Sequence, residues 1–400
     1  MPQRRLSRAE FIALMAMMFA TIAFSIDSML PALPDIAHAL TPADPNRAQL
    51  VLTSFVLGMG LGTLFAGPLS DSFGRKRVLL AGSALYVLGA LLGAMAQSLE
   101  FLLAARILQG LGAAGPRVVS MAIIRDLYAG RQMARLMSLV MMIFTLVPAF
   151  APSMGAVIIH FAGWRGVFVA FVVFALIGAL WLALRQGETL PPAARRPLRA
   201  RGLWLAMKEV VTHRTILITI AIQSLVFGVL FGMLSSSQQI FDITFHQGAN
   251  FPYWFGGIAI IAGSASLVNA RLVVRLGMRH MVRMALIGQL VVSGTMMVLF
   301  WSQVAQGWGA LLAFAAWQAS VFFMVGLTLG NLNAIAMEPM GHIAGMAASV
   351  VGALSTVLAV MIAVPLGLAF DGTPLPLAIG IFVCLLGALG LMQLIRHEPS

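Results

Sequence analysis

Thirteen carboxylates are scattered along the 400 residues, and twelve lie at the ends of apolar runs or in the polar breaks between them. Asp27, in SIDSML, is the one acid inside such a run. A lone carboxylate there sets desolvation against the pull of any nearby cation, so its protonation responds to what binds beside it. Such a group can carry a proton. Two arginines, Arg106 and Arg117 in RILQGLGAAGPRVVS, are likewise inside a run. Eleven residues at about 100° each bring them back to nearly one helical face. An arginine inside a membrane span costs about 2.5 kcal/mol or more unless it meets a cavity or a partner. Both are therefore expected to point into a central cavity, with snorkelling of Arg106 toward the surface as the plainer alternative. A fixed ion pair between Asp27 and Arg106 is also open, and is compatible with proton carriage if the pair breaks during a cycle. No Ser/His/Asp set, metal-ligand spacing or phosphate loop accompanies these residues, and the single cysteine, Cys384, excludes disulfides and cysteine metal sites.

The elements that must position these groups follow from composition. The chain is 60% hydrophobic and 10% charged, whereas globular domains carry about 25% charge. About 20 apolar residues cross a hydrocarbon core of about 30 Å. Twelve runs reach that length, near 11–34, 48–68, 78–97, 101–123, 136–160, 164–184, 215–240, 253–272, 282–301, 307–332, 343–369 and 375–395. Lipid leaves backbone groups unsatisfied unless the spans are helices, and the alternating pattern of a β-barrel is absent, so the fold class is all α. The first run is too long for a signal-peptide core and is read as a retained helix. The net charge of +12 marks topology rather than nucleic-acid binding. Bases such as Arg4, Arg5, Arg8, Arg75, Lys76, Arg77, Arg195, Arg196, Arg199, Arg201 and Arg396 fall on one side, and only Arg47 and Arg165 on the other, which puts both termini in the cytoplasm.

One long polar break, residues 185–214, carries adjacent prolines, an arginine cluster and the amphipathic LWLAMKEVV, expected along the membrane surface. It divides the chain into bundles of six helices, 1–184 and 215–400. The loop NARLVVRLGMRH repeats the spacing of GPLSDSFGRKR when Gly277 is laid on Gly74, with Val274 in place of Asp71, as a duplicated transporter half would.

GPLSDSFGRKR itself resembles the loop between helices 2 and 3 of the major facilitator superfamily. Gly67 is expected to end helix 2 and Gly74 to permit the turn, while Arg75, Lys76 and Arg77 anchor the loop at an anionic leaflet. Asp71 can accept hydrogen bonds from Arg75 or from the exposed amides of a helix start. The resemblance implies a latch that loosens during alternating access; Ser72 stands where the family usually has arginine. Arg106, Gln109, Gly110 and Gly112 resemble the family's helix-4 motif, and Gly110, Gly112 and Gly115 suit close helix contacts. Pro148, Pro152 and Gly155 in TLVPAFAPSMGAVI resemble its antiporter motif, with Ala151 and Ala156 in place of further glycines. SIDSMLPALPDIAHAL, RDLYAG and GNLNAIAMEPMGHIAGMAAS are similar to segments of the bicyclomycin-resistance-like drug:proton antiporters.

The resemblance implies a proton-coupled exporter of small amphipathic compounds, monomeric, in a bacterial inner membrane, needing no cofactor beyond the proton gradient. Gln109, Gln223, Asn269, Gln318, Asn331 and Asn333 are the candidate cavity wall, together with some of the 26 methionines. A metabolite or siderophore permease of the same fold is the alternative. A membrane-embedded hydrolase or a sensor would need nucleophiles, bases or metal ligands that no segment arranges.

Overall fold

The long apolar runs are helical in the computed structural model, which describes residues 6–195, 197–198, 200–304 and 306–395, with the run near 253–272 divided into two helices and the first run interrupted by a 3-10 turn. Arg4, Arg5, Arg196, Arg199, Arg396 and Glu398 lie outside the described residues. The helices are α1 (Arg8–Asp27), α2 (Leu33–Leu40), α3 (Leu50–Phe73), α4 (Arg75–Ala94), α5 (Leu99–Leu127), α6 (Gly130–Arg185) and α7 (Ala200–Thr212), followed by α8 (Arg214–Gln239), α9 (Phe251–Gly263), α10 (Ala265–Leu276), α11 (Met278–Ser302), α12 (Gly307–Met337), α13 (Ala344–Leu368) and α14 (Leu375–Met392). The described residues give eleven helical stretches long and apolar enough to cross a membrane. The stretch formed by α6 has 56 residues, about 84 Å at about 1.5 Å per residue, enough for two crossings. It changes direction at Gly163, whose backbone (φ 65°, ψ −178°) is not helical. Divided there, it supplies the fifth and sixth of the twelve expected spans.

The chain packs as two compact units, Met1–Ala43 with Ser54–Trp204, and Asp44–Thr53 with Leu205–Ser400. The boundary near 204 falls within the expected 185–214 linker, where α7 is the amphipathic helix. The placement of Asp44–Thr53 departs from the expected division, and hydrogen bonds explain it. Asn46 donates to the carbonyls of Leu368 and Phe370 at 3.2 and 2.8 Å, Gln239 donates to Asn46 at 2.7 Å, and Gln49 accepts from Ser236 at 3.3 Å.

Within the first unit, Phe11, Leu14, Met15, Leu79, Ile123, Val140 and Leu182 form one buried cluster that joins α1, α4, α5 and α6. Glu10 at the start of α1 accepts a forked pair of hydrogen bonds from Arg185 at the end of α6, at 2.7 and 2.8 Å. Glycines set the closest helix approaches. A methyl group on Gly110 would run into the Phe55 carbonyl of α3, one on Gly58 into the Ile107 carbonyl of α5, and one on Gly112 into the Tyr86 backbone of α4. Small residues at such crossings let backbones touch where lipid offers no hydrophobic drive to association.

The duplication is visible in the backbone. Gly74 (φ 100°, ψ 150°) precedes α4 and Gly277 (φ 80°, ψ 154°) precedes α11 in the same conformation, one that side chains disfavour. Gly67 does not end a helix. The α3 helix runs through Gly67 and Pro68 to Phe73. Ser70 and Ser72 donate side-chain bonds to the carbonyls of Gly67 and Pro68, at 2.8 and 3.0 Å, and Gly74 makes the turn.

Gly110→Ala should lower stability by about 1–3 kcal/mol through overpacking. Gly257→Ala, where an added methyl group meets nothing within 4 Å, should be neutral or raise it by up to about 1 kcal/mol. Thermal unfolding of the purified variants reads both.

Candidate functional site

Asp27 is the last residue of α1, where Pro31 and Pro34 soon stop regular helix and hand the chain to a short 3-10 turn and α2. The residue is 5% exposed. Among the described residues no hydrogen bond or ion pair reaches its carboxylate. The residues around it are held tightly. Ser28 donates to the Phe24 carbonyl at 2.5 Å, and its backbone is the seat of Gly155, where any side chain would strike the Ser28 carbonyl. Gly155 of the antiporter-like segment therefore lies against the residue after Asp27. Pro152 is buried beside it and Pro148 half-buried, both within the helical part of α6 before Gly163.

Arg106 does not open on a cavity, nor does it snorkel. It is 0% exposed. Its guanidinium donates to Gln109 Oε1 at 2.8 Å and to the Ser25 carbonyl at 3.1 Å, and lies 4.5 Å from the ring centre of Phe55 and 5.9 Å from those of Phe168 and Phe171. Aromatic faces, a carbonyl and an amide oxygen contribute to satisfying the cation. The fixed Asp27–Arg106 pair is thus not formed in this structure; Arg106 instead clamps the α1 backbone two residues before Asp27. Tyr86 adds a second tie, its hydroxyl 2.5 Å from Ser25 Oγ. Sequence reasoning did not find Ser25 or Tyr86, because a serine and a tyrosine in apolar helices give no charge signal. Arg117 is half-buried, with Met59 Sδ at 3.8 Å as its recorded contact. The shared helical face expected for the two arginines therefore leads to two different environments.

At the α3–α4 turn, Arg75 reaches three acceptors: the Asp71 carboxylate, Ser70 Oγ at 2.7 Å and Asp126 Oδ2 at 3.0 Å. Asp71 thus meets the first of its two expected partners. The exposed amides of α4 take another anion, since Glu188 accepts from the backbone N–H of Arg75 at 2.9 Å and of Lys76 at 3.2 Å. Lys76 Nζ caps the end of α6 at the Ala183 carbonyl, 2.6 Å away. The second unit carries a reduced copy, in which Arg279 pairs with Glu338 at 2.7 Å.

The expected cavity residues separate by environment. Gln109 is buried against Arg106 in the first unit. In the second unit Gln223 accepts from Ser355 and Gln318 from Ser237, each at 3.0 Å, and Asn331 donates to Asn269 at 2.7 Å. The side-chain nitrogens of Gln109, Gln223 and Gln318 have no hydrogen-bond partner among the described residues. Asn333 is exposed and joins none of these pairs.

Residues 13–364 match the family model described as Major Facilitator Superfamily. The chain is 32% identical over 341 residues to a bicyclomycin resistance protein homolog of Haemophilus influenzae, covering 83% of this chain and 82% of that one. It is 36% identical over 182 residues to a chloramphenicol resistance protein of Pseudomonas aeruginosa, covering 45% and 43%. Its fold is shared with the xylose transporter XylE of E. coli in a partially occluded inward-open conformation, at a TM-score of 0.74 and 13% identity over 98% of this chain and 99% of that one.

Arg106→Leu should leave the Ser25 carbonyl and the Gln109 amide oxygen each without the guanidinium donor it accepts from, at about 1–3 kcal/mol for each orphaned group. Arg117→Leu, which loses only a thioether contact, should leave the unfolding temperature close to wild type. Differential scanning fluorimetry in detergent separates the two.

Proposed function

The chain belongs to the major facilitator superfamily and is a multi-pass membrane transporter of small molecules, and from that premise we propose that it exports small amphipathic organic compounds, drugs among them, in exchange for protons. The observation that carries this reading is Asp27, a buried carboxylate free of hydrogen-bond and ion-pair partners among the described residues, on a backbone held by Arg106, Tyr86 and Gly155. A carboxylate committed to a partner would have to break that partnership at every turnover. Asp27 exchanges a proton without doing so. When it is charged, its burial favours either a proton or a substrate whose cationic or hydrogen-bond-donor group reaches the carboxylate, so the two compete for one state of the site and each leaves as the other arrives.

The surrounding ties keep the carboxyl in place while its protonation changes. Arg106 acts as a fixed positive charge and backbone clamp, and Gly155 brings the antiporter-like segment against Ser28. Gln223 and Gln318, whose side-chain nitrogens have no partner among the described residues, offer amide donors to substrate. The names of the drug-resistance relatives support export of drugs as the direction and class of transport. The many apolar spans and the distribution of bases support an inner-membrane location with both termini in the cytoplasm. The Asp71–Arg75–Asp126 cluster serves as the latch whose breaking accompanies the change of access.

Expression in a pump-deficient bacterial host should raise resistance to at least one member of a panel containing chloramphenicol, bicyclomycin and ethidium. A panel with no shift, together with uptake of a metabolite, would turn the reading to a permease. In inverted vesicles, Asp27→Asn should abolish uptake driven by a pH gradient while the protein folds normally, and Asp27→Glu should keep part of it with a displaced pH optimum. Gradient-driven uptake at near the wild-type rate by the Asn variant would reject Asp27 as the proton carrier. Asp71→Asn should slow turnover with probe affinity within a few-fold of wild type, since it acts on the conformational equilibrium.

A further inference from the structure

The first turn of α4 has no cap of its own. Gly74 occupies its N-cap position without a side chain, although the first amides of a helix need acceptors and its N-terminus favours an anion. The acceptor comes from the segment that follows α6. Glu188 Oε1 accepts from Arg75 N at 2.9 Å and Oε2 from Lys76 N at 3.2 Å, while Oε1 also takes the amides of Thr189 and Leu190 at 3.0 and 3.1 Å. A methyl group placed on Gly74 would lie 2.5 Å from Glu188 Oε2. The glycine therefore serves the contact as well as the turn. Thr189 Oγ1 donates to Asp126 Oδ2 at 2.9 Å, the same oxygen that accepts from Arg75 Nε. Lys76 Nζ holds the last turn of α6 through Ala183.

We propose that Glu188 is a positioning residue of the latch: by capping α4 from the start of the inter-unit linker it fixes the Arg75 backbone, holds its guanidinium between Asp71 and Asp126, and so sets how often the latch opens. The linker is then a working part of the latch as well as a tether, because a pull on residues 189–204 is borne first by the Glu188 cap. Glu188 touches no substrate and acts through Arg75. This inference rests on the transporter reading above for its effect on flux, but the cap itself can be tested without any substrate.

Hydrogen–deuterium exchange on the purified full-length protein reads the cap directly. Glu188→Gln, which keeps the size and one acceptor but loses the charge, should speed exchange of the amides at 75–78 by roughly tenfold, as loss of a helix cap does. Peptides from α8 should stay at wild-type rates, and Glu188→Asp should recover part of the protection. In inverted vesicles loaded through a pH gradient with ethidium, Glu188→Gln should lower the maximal rate several-fold with KM within about twofold, and Asp71→Asn combined with it should be no slower than the slower single variant. Wild-type exchange at 75–78 in Glu188→Gln would overturn the cap. Faster exchange there, with an unchanged maximal rate or with rate losses that multiply in the double variant, would overturn the coupling to the latch. If neither wild type nor variant moves ethidium, the exchange result still decides the cap, and only the transporter reading for that probe has failed.

Discussion

The absence of water from the hydrocarbon core governs how the polar side chains within the spans are used. A charge or a donor inside a span must be satisfied by the protein itself or be kept for a ligand. Arg106 takes the first course. Its guanidinium is closed in by Phe55, Phe168 and Phe171 and bonded to Gln109 and the Ser25 carbonyl, so quadrupoles and dipoles help to hold its charge. That leaves the nearby carboxylate unspent. Had Arg106 paired with Asp27, the proton would have had to displace an arginine; bonded as it is, Arg106 holds the backbone still and leaves Asp27 to titrate.

The same constraint shapes the turn between α3 and α4, where the chain leaves the apolar environment. Gly74 removes the side chain that would otherwise cap α4, and the vacancy is filled by Glu188 from more than a hundred residues onward. Arg75 then shares three acceptors, Asp71, Ser70 and Asp126, which draws the ends of α3, α4 and α5 into one polar knot. The second unit keeps the backbone of this turn at Gly277 and one cross-helix ion pair, Arg279–Glu338. Val274 in place of Asp71 removes the acid at the turn, and with it the tie along the helix.

Much of this could be read from residues alone, and the division is physical. Hydropathy locates the spans because lipid permits one backbone solution, and Asp27 stands out because charge in an apolar run is rare. The turn at Gly74 is legible because its glycine and bases have few other uses. What could not be read depends on three-dimensional neighbours. Burial of Arg106 under aromatic rings requires knowing that α3 and α6 cross α5 at that height. The continuation of α3 past Gly67 runs through Pro68, Ser70 and Ser72, residues equally at home in a loop. The association of Asp44–Thr53 with the second unit depends on amides that bond to carbonyls some 320 residues away, and no local pattern encodes such a pairing. In sequence Glu188 is one of twelve acids at run ends or in polar breaks, and nothing local marks its bond to α4.

The claim at the centre of this account is that one carboxyl group exchanges a proton for substrate. Proton release on binding tests it most directly, free of the membrane and of turnover. Purified protein in weakly buffered detergent, near the pH at which the carboxyl is partly protonated, is mixed with whichever of chloramphenicol, bicyclomycin or ethidium the resistance panel identifies, and a pH indicator follows the solution. The account predicts that the wild type releases protons as the probe saturates, and that Asp27→Asn binds the probe with no proton released. Equal release from both proteins would place the exchanged proton elsewhere and contradict the account.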